Sequence, residues 1–481
     1  MTYSAKEQYD VVIIGSGVAG LVCGCYLAKK GLSILIIEKH NKVGGYCTSF
    51  TRMGYSFDVA VHYLGSLRPG GVLNKILSDI SLENEIVFNR IDPCDKIIMP
   101  DHVVLVRNNT NGTRESFKQA FFHESANIDK FFDFMIKEDF QTIYLKTVKR
   151  TFTELLDSFF RDSRLKSTIS VLLGNIGLPP SRVSALTASI LFREYVFDPG
   201  YYPSGGMQCF SNALLKRFTG YGGEVLLSKE VKKIETENRK IKGVALDNGG
   251  YIFSNMVISN ADALLTLGKM LDCGYTGGFD ALERMEISQS AFVCYFGVDS
   301  KIEKAISPKC TTWYFNTYDM ETCYGKPITP ACEKLNYAVI TYPSAHSGNL
   351  GSIDKSTVQI LMGAKYDDER NWSSVKHMIS RKIIAFVADI IPDINRFIKY
   401  TTIATPYDFY RYTYNHAGAM YGWAALQNQI KQSILAHATP IENLFLVGHW
   451  VTNGFGQSGI PAVALSGKNV AKIVLSKLKT K

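Results

Sequence analysis

The chain has 481 residues, 46% hydrophobic and 20% charged, which is the composition of a folded protein of about two to three domains. Lys and Arg (53) exceed Asp and Glu (44) by 9, a modest excess that indicates a solvated basic surface or a face for anionic lipid. No basic run lies in a recognised nucleic-acid motif, and no apolar stretch of about 18 residues could cross a bilayer.

The N-terminal residues and the cysteines bear on compartment. Residues 1–10 are polar, and the first apolar run, Val11 to Ile14, ends at a glycine loop rather than at a signal-cleavage site. The ten cysteines are scattered and form no C-x-x-C pair, so neither a zinc site nor a redox pair is indicated. We therefore expect reduced thiols, no metal and a cytoplasmic protein that is peripherally membrane-associated if its basic face contacts lipid.

The first strong pattern is a glycine-rich loop between a strand and a helix. Asp10 to Ile14 predicts a buried strand, Gly15 to Gly20 follows with the spacing G-x-G-x-x-G, and the residues up to Lys30 have a helical pattern. The first glycine permits the turn, the second lets the backbone approach a pyrophosphate, and the third lets the helix pack on the strand. The helix N-terminus then offers free N–H groups to the phosphates.

A second strand and an acidic residue complete this unit. Ser33 to Ile37 predicts a buried strand that ends at Glu38, whose carboxylate can accept hydrogen bonds from a ribose diol. Strand, loop, helix, strand and acid thus occur in the order of a Rossmann-type dinucleotide-binding domain.

Further segments indicate which dinucleotide is bound. Gly44-Gly45 follows Glu38, residues 54–65 read G-Y-S-F-D-V-A-V-H-Y-L-G, and residues 202–207 read Y-P-S-G-G-M. Near the C-terminus a strand over 444–448 precedes a glycine-rich segment and a helix with Pro461 in its first turn. These segments resemble those of phytoene desaturases, carotenoid isomerases and retinol saturase-like enzymes, with Ala60 in place of the usual glycine.

The resemblance implies FAD as cofactor and an α/β fold, in which a Rossmann-type FAD-binding domain of the two-dinucleotide-binding-domain flavoproteins carries an inserted α+β substrate domain. It implies that the backbone at Val231 contacts the adenine and that the turn around Asn260 returns the chain to the flavin. The helix after Pro461 would stabilise reduced flavin through its dipole. The implied cofactor-binding residues are Gly15, Gly17, Val18, Ala19, Gly20, Glu38, Lys39, Gly44, Gly45, Tyr46, Val231, Asn260, Gly448, Gly456, Gly459, Ile460 and Pro461.

The domain boundaries follow from where these motifs lie. The FAD-binding domain is predicted over 1–95, 200–285 and 435–481, and the substrate domain over 96–199 and 286–434. Apolar residues recur at near-helical spacing over 131–160, interleaved with Lys and Arg, which indicates either ordinary core helices or an amphipathic surface that docks on a membrane.

The second part of the substrate domain predicts a sheet and an aromatic segment. Strands are expected near 291–298, 337–342 and 358–362, in a sheet lying over the flavin. The aromatic residues of 405–423 are interpreted either as a stack along the substrate or as packing, since this segment resembles the one that closes the active site in the family.

Four side chains are candidates for catalysis. His62 and His449 lie inside motifs that the resemblance assigns to the flavin site, and the aromatic segment adds a tyrosine and a histidine. No nucleophile elbow, H-E-x-x-H pair or P-loop occurs, which excludes the hydrolases and kinases that depend on them. The candidate catalytic residues are His62, Tyr414, His416 and His449.

The resemblance implies redox chemistry at a C–C or C=C bond of an apolar polyene or lipid, as desaturation, saturation or isomerisation. No second strand–loop–helix–strand–acid unit with a G-x-G-x-x-G loop for NAD(P)H is visible, which favours a quinone, oxygen or another protein as electron partner. Two alternatives stay open: a flavin amine oxidase-like enzyme that acts on a C–N bond, and a prenyl-lipid-binding escort protein of the same fold. The intact glycine loop and Glu38 argue against the escort protein.

Overall fold

The computed structural model describes residues 7–272, 279–347, 355–430, 436–451 and 459–479. Within them the strands form a five-stranded, a four-stranded and a seven-stranded sheet and two two-stranded ribbons. In chain order they are β1 Gln8–Tyr9, β2 Val11–Ile14, β3 Ile34–Glu38, β4 Ser49–Arg52, β5 Tyr55–Asp58, β6 Phe88–Arg90, β7 Asp95–Ile98, β8 Val103–Val106, β9 Tyr201–Pro203, β10 Glu224–Leu227, β11 Val231–Glu237, β12 Lys240–Leu246, β13 Tyr251–Ser254, β14 Val257–Ser259, β15 Ser290–Asp299, β16 Thr311–Phe315, β17 Tyr337–Thr341, β18 Lys355–Ala364, β19 Ile398–Ala404 and β20 Leu444–Leu446.

The α-helices range from short turns to a helix of 20 residues. They are α1 Val18–Ala28, α2 Val72–Asp79, α3 Thr110–Ala120, α4 Ser125–Lys137, α5 Phe140–Thr147, α6 Phe152–Asp157, α7 Ser163–Ser170, α8 Ala185–Leu191, α9 Met207–Gly220, α10 Ala263–Leu265, α11 Phe279–Glu283, α12 Met320–Gly325, α13 Pro343–Ser347, α14 Glu369–Val387, α15 Ile394–Phe397, α16 Pro406–Thr413, α17 Gln427–Ile430 and α18 Ile460–Lys479.

The five-stranded sheet is parallel, in the order β10-β3-β2-β14-β20. Both of its faces are covered, which explains why β2 and β3 read as continuous apolar runs. Helices α1, α9 and α18 cover one face, and the four-stranded sheet β1-β13-β12-β11 covers the other. This is the arrangement of a dinucleotide-binding domain, and it confirms the predicted Rossmann-type α/β fold.

The segment after β12 contributes to two sheets. Residues 251–258 divide into β13, which pairs antiparallel with β12, and β14, which joins the parallel sheet. Asn255 and Met256 connect the two strands.

The seven-stranded sheet has the order β19-β15-β18-β17-β16-β7-β8 and forms the core of the second lobe. The three expected strands are present as β15, β17 and β18. Helices α4 to α8 pack on one part of this sheet, and α14 packs elsewhere through buried Trp372 and Ile383. Strand β7 begins at Asp95, at the predicted boundary between the domains.

Asp58, the last residue of β5, contacts both lobes. Its buried carboxylate accepts hydrogen bonds from Ser49 Oγ (2.6 Å), from the Tyr202 hydroxyl and from the Met207 N–H (3.2 Å). Its backbone carbonyl accepts a bond from Gln359 Nε2 of β18 (2.8 Å). Asp58 therefore joins both lobes, although burial raises the pKa of its carboxyl.

Among the helices of the described residues, none is both long and apolar enough to cross a bilayer.

We expect Asp58→Ala to lower the free energy of unfolding by about 2–3 kcal/mol, because two hydroxyl donors and one N–H donor lose a buried acceptor. Urea denaturation measures the change. Asp247→Ala, at an exposed turn residue, is the control and should stay within about 0.5 kcal/mol of the wild type. Equal stabilities of the two variants would contradict a structural role for Asp58.

Candidate active site

The glycine-rich loop lies at the carboxyl end of β2, where the chain turns into α1. Gly15 adopts φ +90°, which favours glycine, and its N–H donates to the carbonyl of Ile37 in the neighbouring strand (2.8 Å). A Cβ at Gly20 would lie 2.4 Å from the Gly15 carbonyl oxygen, so the helix packs closely on the loop. The first residues of α1, Val18 and Ala19, line a cavity, and their end of the helix is suited to bind an anion.

Glu38 ends β3 beside this loop. Its Oε2 accepts hydrogen bonds from the Ser16 N–H (2.9 Å) and from Ser16 Oγ (2.8 Å), and its Oε1 accepts one from the His40 N–H (2.9 Å). A carboxylate has about four acceptor positions, so Glu38 is held in place and retains capacity for a ligand hydroxyl. The residues present thus fit a bound dinucleotide, with a backbone cradle for phosphates next to an acceptor for ribose.

Gly44, Gly45 and Tyr46 form the opposite side of the loop. The Gly44 N–H donates to the Ser16 carbonyl (3.1 Å), and a Cβ at Gly44 would lie 2.4 Å from the Cys47 carbonyl oxygen. This second glycine segment therefore lies against the glycine-rich loop, and both segments line the cavity.

Val231, the first residue of β11, lines the cavity beside Glu38 and Lys39. Burial lowers the pKa of Lys39 to about 8, and its Nζ lies 3.1 Å from the centre of the Tyr414 ring. Lys39 Nζ also donates to the Arg411 carbonyl (3.2 Å). The end of α16 thus covers the Glu38 end of the cavity.

The C-terminal segment lines the cavity in two places, at Gly448 and at the start of α18. Gly448 has φ +95° and donates its N–H to Ser466 Oγ (3.0 Å) of α18, and both Gly448 and the start of α18 line the cavity. Of the other predicted residues here, Gly459, Ile460 and Pro461 line the cavity as well, whereas Gly456 lies outside the described residues.

His449 lies in a buried aromatic cluster. Its ring is 6.2 Å from that of Tyr46 and 5.6 Å from that of Trp450. Trp450 Nε1 donates to Asn415 Oδ1 (2.8 Å), and Asn415 Nδ2 donates to the Tyr46 hydroxyl (3.2 Å). Burial lowers the pKa of His449 to about 4, so this imidazole is neutral at pH 7.

His62 lies in a second buried cluster on the cavity wall. Its Nε2 is 3.4 Å from the Tyr195 hydroxyl, which donates to the Tyr63 carbonyl (3.0 Å). Burial lowers the pKa of His62 to about 4, and a hydrogen bond with Asn175 opposes this shift in part. The pKa of Tyr195 lies well above its ordinary value for the same reason, so the hydroxyl keeps its proton.

A buried carboxyl group supports the His62 cluster from behind. Asp95 accepts hydrogen bonds from the Tyr63 hydroxyl (2.7 Å) and from Trp313 Nε1 (2.8 Å). The Tyr63 ring stacks on that of Tyr195 at 4.7 Å, and the Trp313 ring lies edge-on to His62 at 6.3 Å. Burial raises the pKa of Asp95 to about 6.

The structure places two catalytic candidates away from this region. His416 is exposed and does not line the cavity, because its backbone N–H is tied to Asp262 Oδ2 (2.7 Å) in the turn after β14. Tyr414 lines the cavity but packs on Lys39 at the Glu38 end. We therefore assign neither residue a catalytic role.

Sequence reasoning missed Tyr195, Asn175 and Tyr421. The first two lie in a stretch without a recognisable motif, so no local signal could have identified them. Tyr421 lies between Gly418 and Gly422, and a Cβ at Gly422 would lie 2.2 Å from the His449 carbonyl oxygen. This close approach explains why glycine occurs on either side of Tyr421. The two glycines were the feature of the sequence that could have pointed to Tyr421.

The glycine loop, Glu38, His62, His449 and Tyr421 line one cavity of about 1550 Å³. It extends from the glycine loop and Glu38, past His62, His449 and Tyr421, to Ile190 and Leu191 of α8. Ligand pockets commonly measure about 300–1,000 Å³, so this cavity has room for more than one small molecule.

The four carboxylates that line the cavity already have partners. Glu38 is bound by Ser16, Glu194 forms a salt bridge with Arg68 (2.8 Å), Glu230 pairs with Lys232 (2.7 Å), and Asp408 caps α16 through Thr405. Two of these carboxylates, Glu194 and Glu230, are thus in salt bridges, whereas Glu38 and Asp408 have hydrogen-bond donors as partners.

Comparison with known protein families and structures agrees with this geometry. Residues 13–80 match the model of an NAD(P)-binding Rossmann-like domain. Among solved structures, an oxidoreductase from Methanosarcina mazei aligns with a TM-score of 0.70 at 18% identity, covering 96% of this chain and 99% of that one. Wild-type putrescine oxidase bound to putrescine aligns with a TM-score of 0.67 at 14% identity, covering 98% and 99%. The fold is therefore shared with these proteins.

Curated relatives extend over nearly the whole chain. All-trans-retinol 13,14-reductase of Rattus norvegicus is 25% identical, covering 92% of this chain and 82% of its own. Chloroplastic prolycopene isomerase of Daucus carota is 25% identical, covering 98% and 81%, and a 4,4'-diapophytoene desaturase of Methylomonas is 21% identical, covering 97% and 95%. The resemblance predicted from short motifs is thus confirmed, and the homologues of this chain are retinol reductases, prolycopene isomerases and diapophytoene desaturases.

Proposed function

We propose that this protein is an FAD-dependent oxidoreductase that acts on a C–C or C=C bond of an apolar polyene of the retinoid or carotenoid kind. The observation that carries this proposal is the continuity of the cavity. One space joins a dinucleotide-binding loop to apolar walls of the helical region, with room for a cofactor and a second molecule. The names of the relatives supply the substrate class.

The residues that would hold FAD are those of the glycine loop and its surroundings. Gly15, Gly17 and the start of α1 would bind the pyrophosphate, Glu38 a ribose, and the backbone at Val231 the adenine. The start of α18 would provide N–H groups near the flavin. When bound, FAD supplies two-electron chemistry at a carbon–carbon bond.

The side chains between the two ends of the cavity hold protons without carrying charge. His62 and His449 are neutral at pH 7, and burial raises the pKa values of Tyr195 and Tyr421 so that both hydroxyl groups stay protonated. In this proposal the neutral histidines and tyrosines orient an uncharged substrate, and the apolar wall excludes water. An uncharged polyene would contact these neutral side chains.

Amine oxidation is the second candidate, because putrescine oxidase shares the fold. Two of the four lining carboxylates, Glu194 and Glu230, already form salt bridges, which leaves fewer counter-charges for a substrate ammonium in a buried site. The escort function has a structural neighbour in the Rab GDI of Plasmodium falciparum, with a TM-score of 0.58 at 12% identity. The intact glycine-rich loop, which fits a bound dinucleotide, argues against an escort protein that works without a cofactor.

We further propose a quinone, oxygen or another protein as electron partner. The support is that a G-x-G-x-x-G loop within a strand–loop–helix–strand–acid unit occurs once, at Gly15 to Gly20, and the proposed FAD occupies it. The same glycine spacing at Gly454, Gly456 and Gly459 lies in the C-terminal segment of the proposed flavin site. Steady oxidation of NADPH by the pure protein would contradict this part of the proposal.

The first experiment is an absorbance spectrum of the purified protein before and after dithionite, followed by incubation with all-trans-retinol, prolycopene and phytoene. Flavin bands that bleach, together with a product that differs by two hydrogens or by double-bond geometry, would support the proposal. Peroxide release from putrescine would instead favour amine oxidation. A protein that stays colourless after incubation with FAD would contradict every flavin-dependent reaction.

We expect Gly17→Val to reduce FAD binding at least about 100-fold, because even a Cβ at this position would lie 2.7 Å from Asn260 Nδ2. Retained flavin per protein and titration of the cofactor-free protein with FAD provide the measurement. Gly220→Val is the matched control, since a Cβ there meets no atom within 4 Å, and it should bind FAD like the wild type. Equal affinities for both variants would argue against FAD at this loop.

We expect His449 to make stability depend on pH. Its pKa is about 4 in the folded protein and about 6.5 in the unfolded chain, so the unfolded chain takes up a proton first as pH falls. The stabilisation is complete above pH 6.5 and is lost between pH 6.5 and 4, on the order of 3 kcal/mol.

Urea denaturation at pH 7 and at pH 4 measures this effect against His449→Gln, which cannot be protonated in this range. The wild type should lose more stability than the variant between the two pH values. An equal loss would show that the imidazole is solvated or charged in the folded protein, contrary to the buried site described above.

A further inference from the structure

A second, small cavity of about 10 Å³ lies beside the large one, at the start of β15. Met420 and Tyr421 line both cavities, so these two residues lie between them. A cavity of this size accommodates about one group of the size of a water molecule, such as a hydroxyl. The wall of the small cavity also includes Gly174, Gln289, Ser290, Tyr337 and Gly363.

Two buried side-chain oxygens of this wall have no hydrogen-bond partner within the described parts of the chain. They are Oε1 of Gln289 and Oγ of Ser290. Ser290 is 2% exposed, so bulk solvent does not supply the missing bond. A buried polar atom without a partner is unfavourable and uncommon in folded proteins. Two such atoms in the wall of one small cavity therefore indicate that a polar group binds there.

The Gln289 amide is held in place by two glycines. A Cβ at Gly177 would lie 2.6 Å from Gln289 Nε2, and a Cβ at Gly363 would lie 2.4 Å from its Oε1. Larger residues at these positions would displace the amide. The Gln289 carbonyl also accepts a hydrogen bond from the Met420 N–H (3.1 Å). The residue before β15 is thus fixed against the wall that separates the two cavities.

Tyr337 adds a hydrogen-bond donor to the small cavity. Its hydroxyl accepts a hydrogen bond from the Gly363 N–H (2.8 Å), and burial raises the pKa of Tyr337, so the hydroxyl keeps its proton and can still donate. A hydroxyl group can accept one hydrogen bond and donate another, which matches this wall. Among the described residues that line the small cavity, none carries a charge, so an alcohol fits better than a carboxylate or an ammonium.

We propose that the small cavity binds a hydroxyl group at one end of an apolar ligand whose chain occupies the large cavity. Gln289 Oε1 accepts the O–H of the ligand, and Ser290 Oγ or the Tyr337 hydroxyl donates to the ligand oxygen. The proposal deepens the proposed function and rests on it for the polyene class of the ligand. It adds that the ligand is an alcohol and that its polar end is bound apart from the dinucleotide loop.

The wall between the cavities has one fixed and one adaptable member. The Tyr421 hydroxyl donates to the Gly174 carbonyl (3.2 Å), and the Tyr421 N–H donates to Ser288 Oγ (2.9 Å). Met420 has an unbranched side chain with three rotatable bonds, which can change its conformation at small cost. The hydroxyl end of the ligand therefore enters the small cavity on the Met420 side.

The test is equilibrium binding of three probes to the purified protein, measured by quenching of its tryptophan fluorescence. The probes are all-trans-retinol, its methyl ether, and the hydrocarbon axerophthene, in which hydrogen replaces the hydroxyl group. The wild type should bind the alcohol about tenfold more tightly than either of the others, because only the alcohol donates to Gln289 and the ether methyl exceeds the small cavity. Equal affinities, as expected if the small cavity holds only water, or no binding of retinol would overturn the proposal.

Two variants and a matched control locate the preference. Gln289→Leu and Ser290→Ala should each lower the affinity for retinol about tenfold and leave that for axerophthene unchanged. Gln119→Leu, at an exposed residue of α3 that lines neither cavity, should keep the preference of the wild type. Thermal unfolding checks that the variants are folded, and Ser290→Ala removes a single oxygen. Equal loss of affinity for both probes would overturn the proposal, because it would reflect general damage to the cavity.

Binding requires no turnover, so this experiment separates the inference from the proposed reaction. A protein that converts polyenes without preferring the alcohol would contradict the hydroxyl site alone. A protein that prefers the alcohol but converts no polyene would contradict the proposed reaction alone.

Discussion

The candidate site depends on one side-chain amide, that of Asn260, which fills the space between the loops at the ends of three adjacent parallel strands. A Cβ at Gly17 would lie 2.7 Å from Asn260 Nδ2, and a Cβ at Gly448 would lie 2.7 Å from its Oδ1. The Asn260 N–H also donates to the Ile14 carbonyl (2.8 Å). Three distant stretches of chain therefore meet at the Asn260 amide, and the positions of Gly17 and Gly448 leave room only for glycine. The backbone loop that is suited to bind phosphates takes its shape from this contact.

The parts of the site that follow from backbone requirements were predictable from the sequence. Gly15, Gly17, Gly20 and Glu38 serve steric and hydrogen-bonding purposes that local order alone specifies. The Tyr195 and Asp95 side chains were not predictable, because their importance arises from contacts with residues far away in the chain. The order of the seven-stranded sheet was not predictable either, because β7 pairs with β16, which lies far away in the chain. His416 shows that a position within a motif-like segment does not establish a place in the site, since this histidine lies on the surface.

The electrostatic character of the cavity changes along its length. Near Glu38 it is lined by charged groups with defined partners, whereas around His62 and His449 burial keeps the titratable side chains neutral. The first environment suits a charged cofactor moiety and the second an uncharged hydrocarbon, so the same cavity can hold two molecules of opposite character. This division separates the proposed chemistry from that of an amine, which would bring a charge to the neutral region.

The packing of α18 on α1 has a consequence for how the protein is made. A Cβ at Gly467 would lie 2.3 Å from the Ala19 carbonyl oxygen, so the two helices are in close backbone contact although they come from opposite parts of the sequence. Strand β20, which borders β14, also comes from this late segment. During synthesis on the ribosome, the glycine loop emerges early but lacks these neighbours until the segment that contains β20 and α18 has been translated. If the loop binds a dinucleotide as proposed, the complete cradle is therefore available to it only after this late segment has been translated.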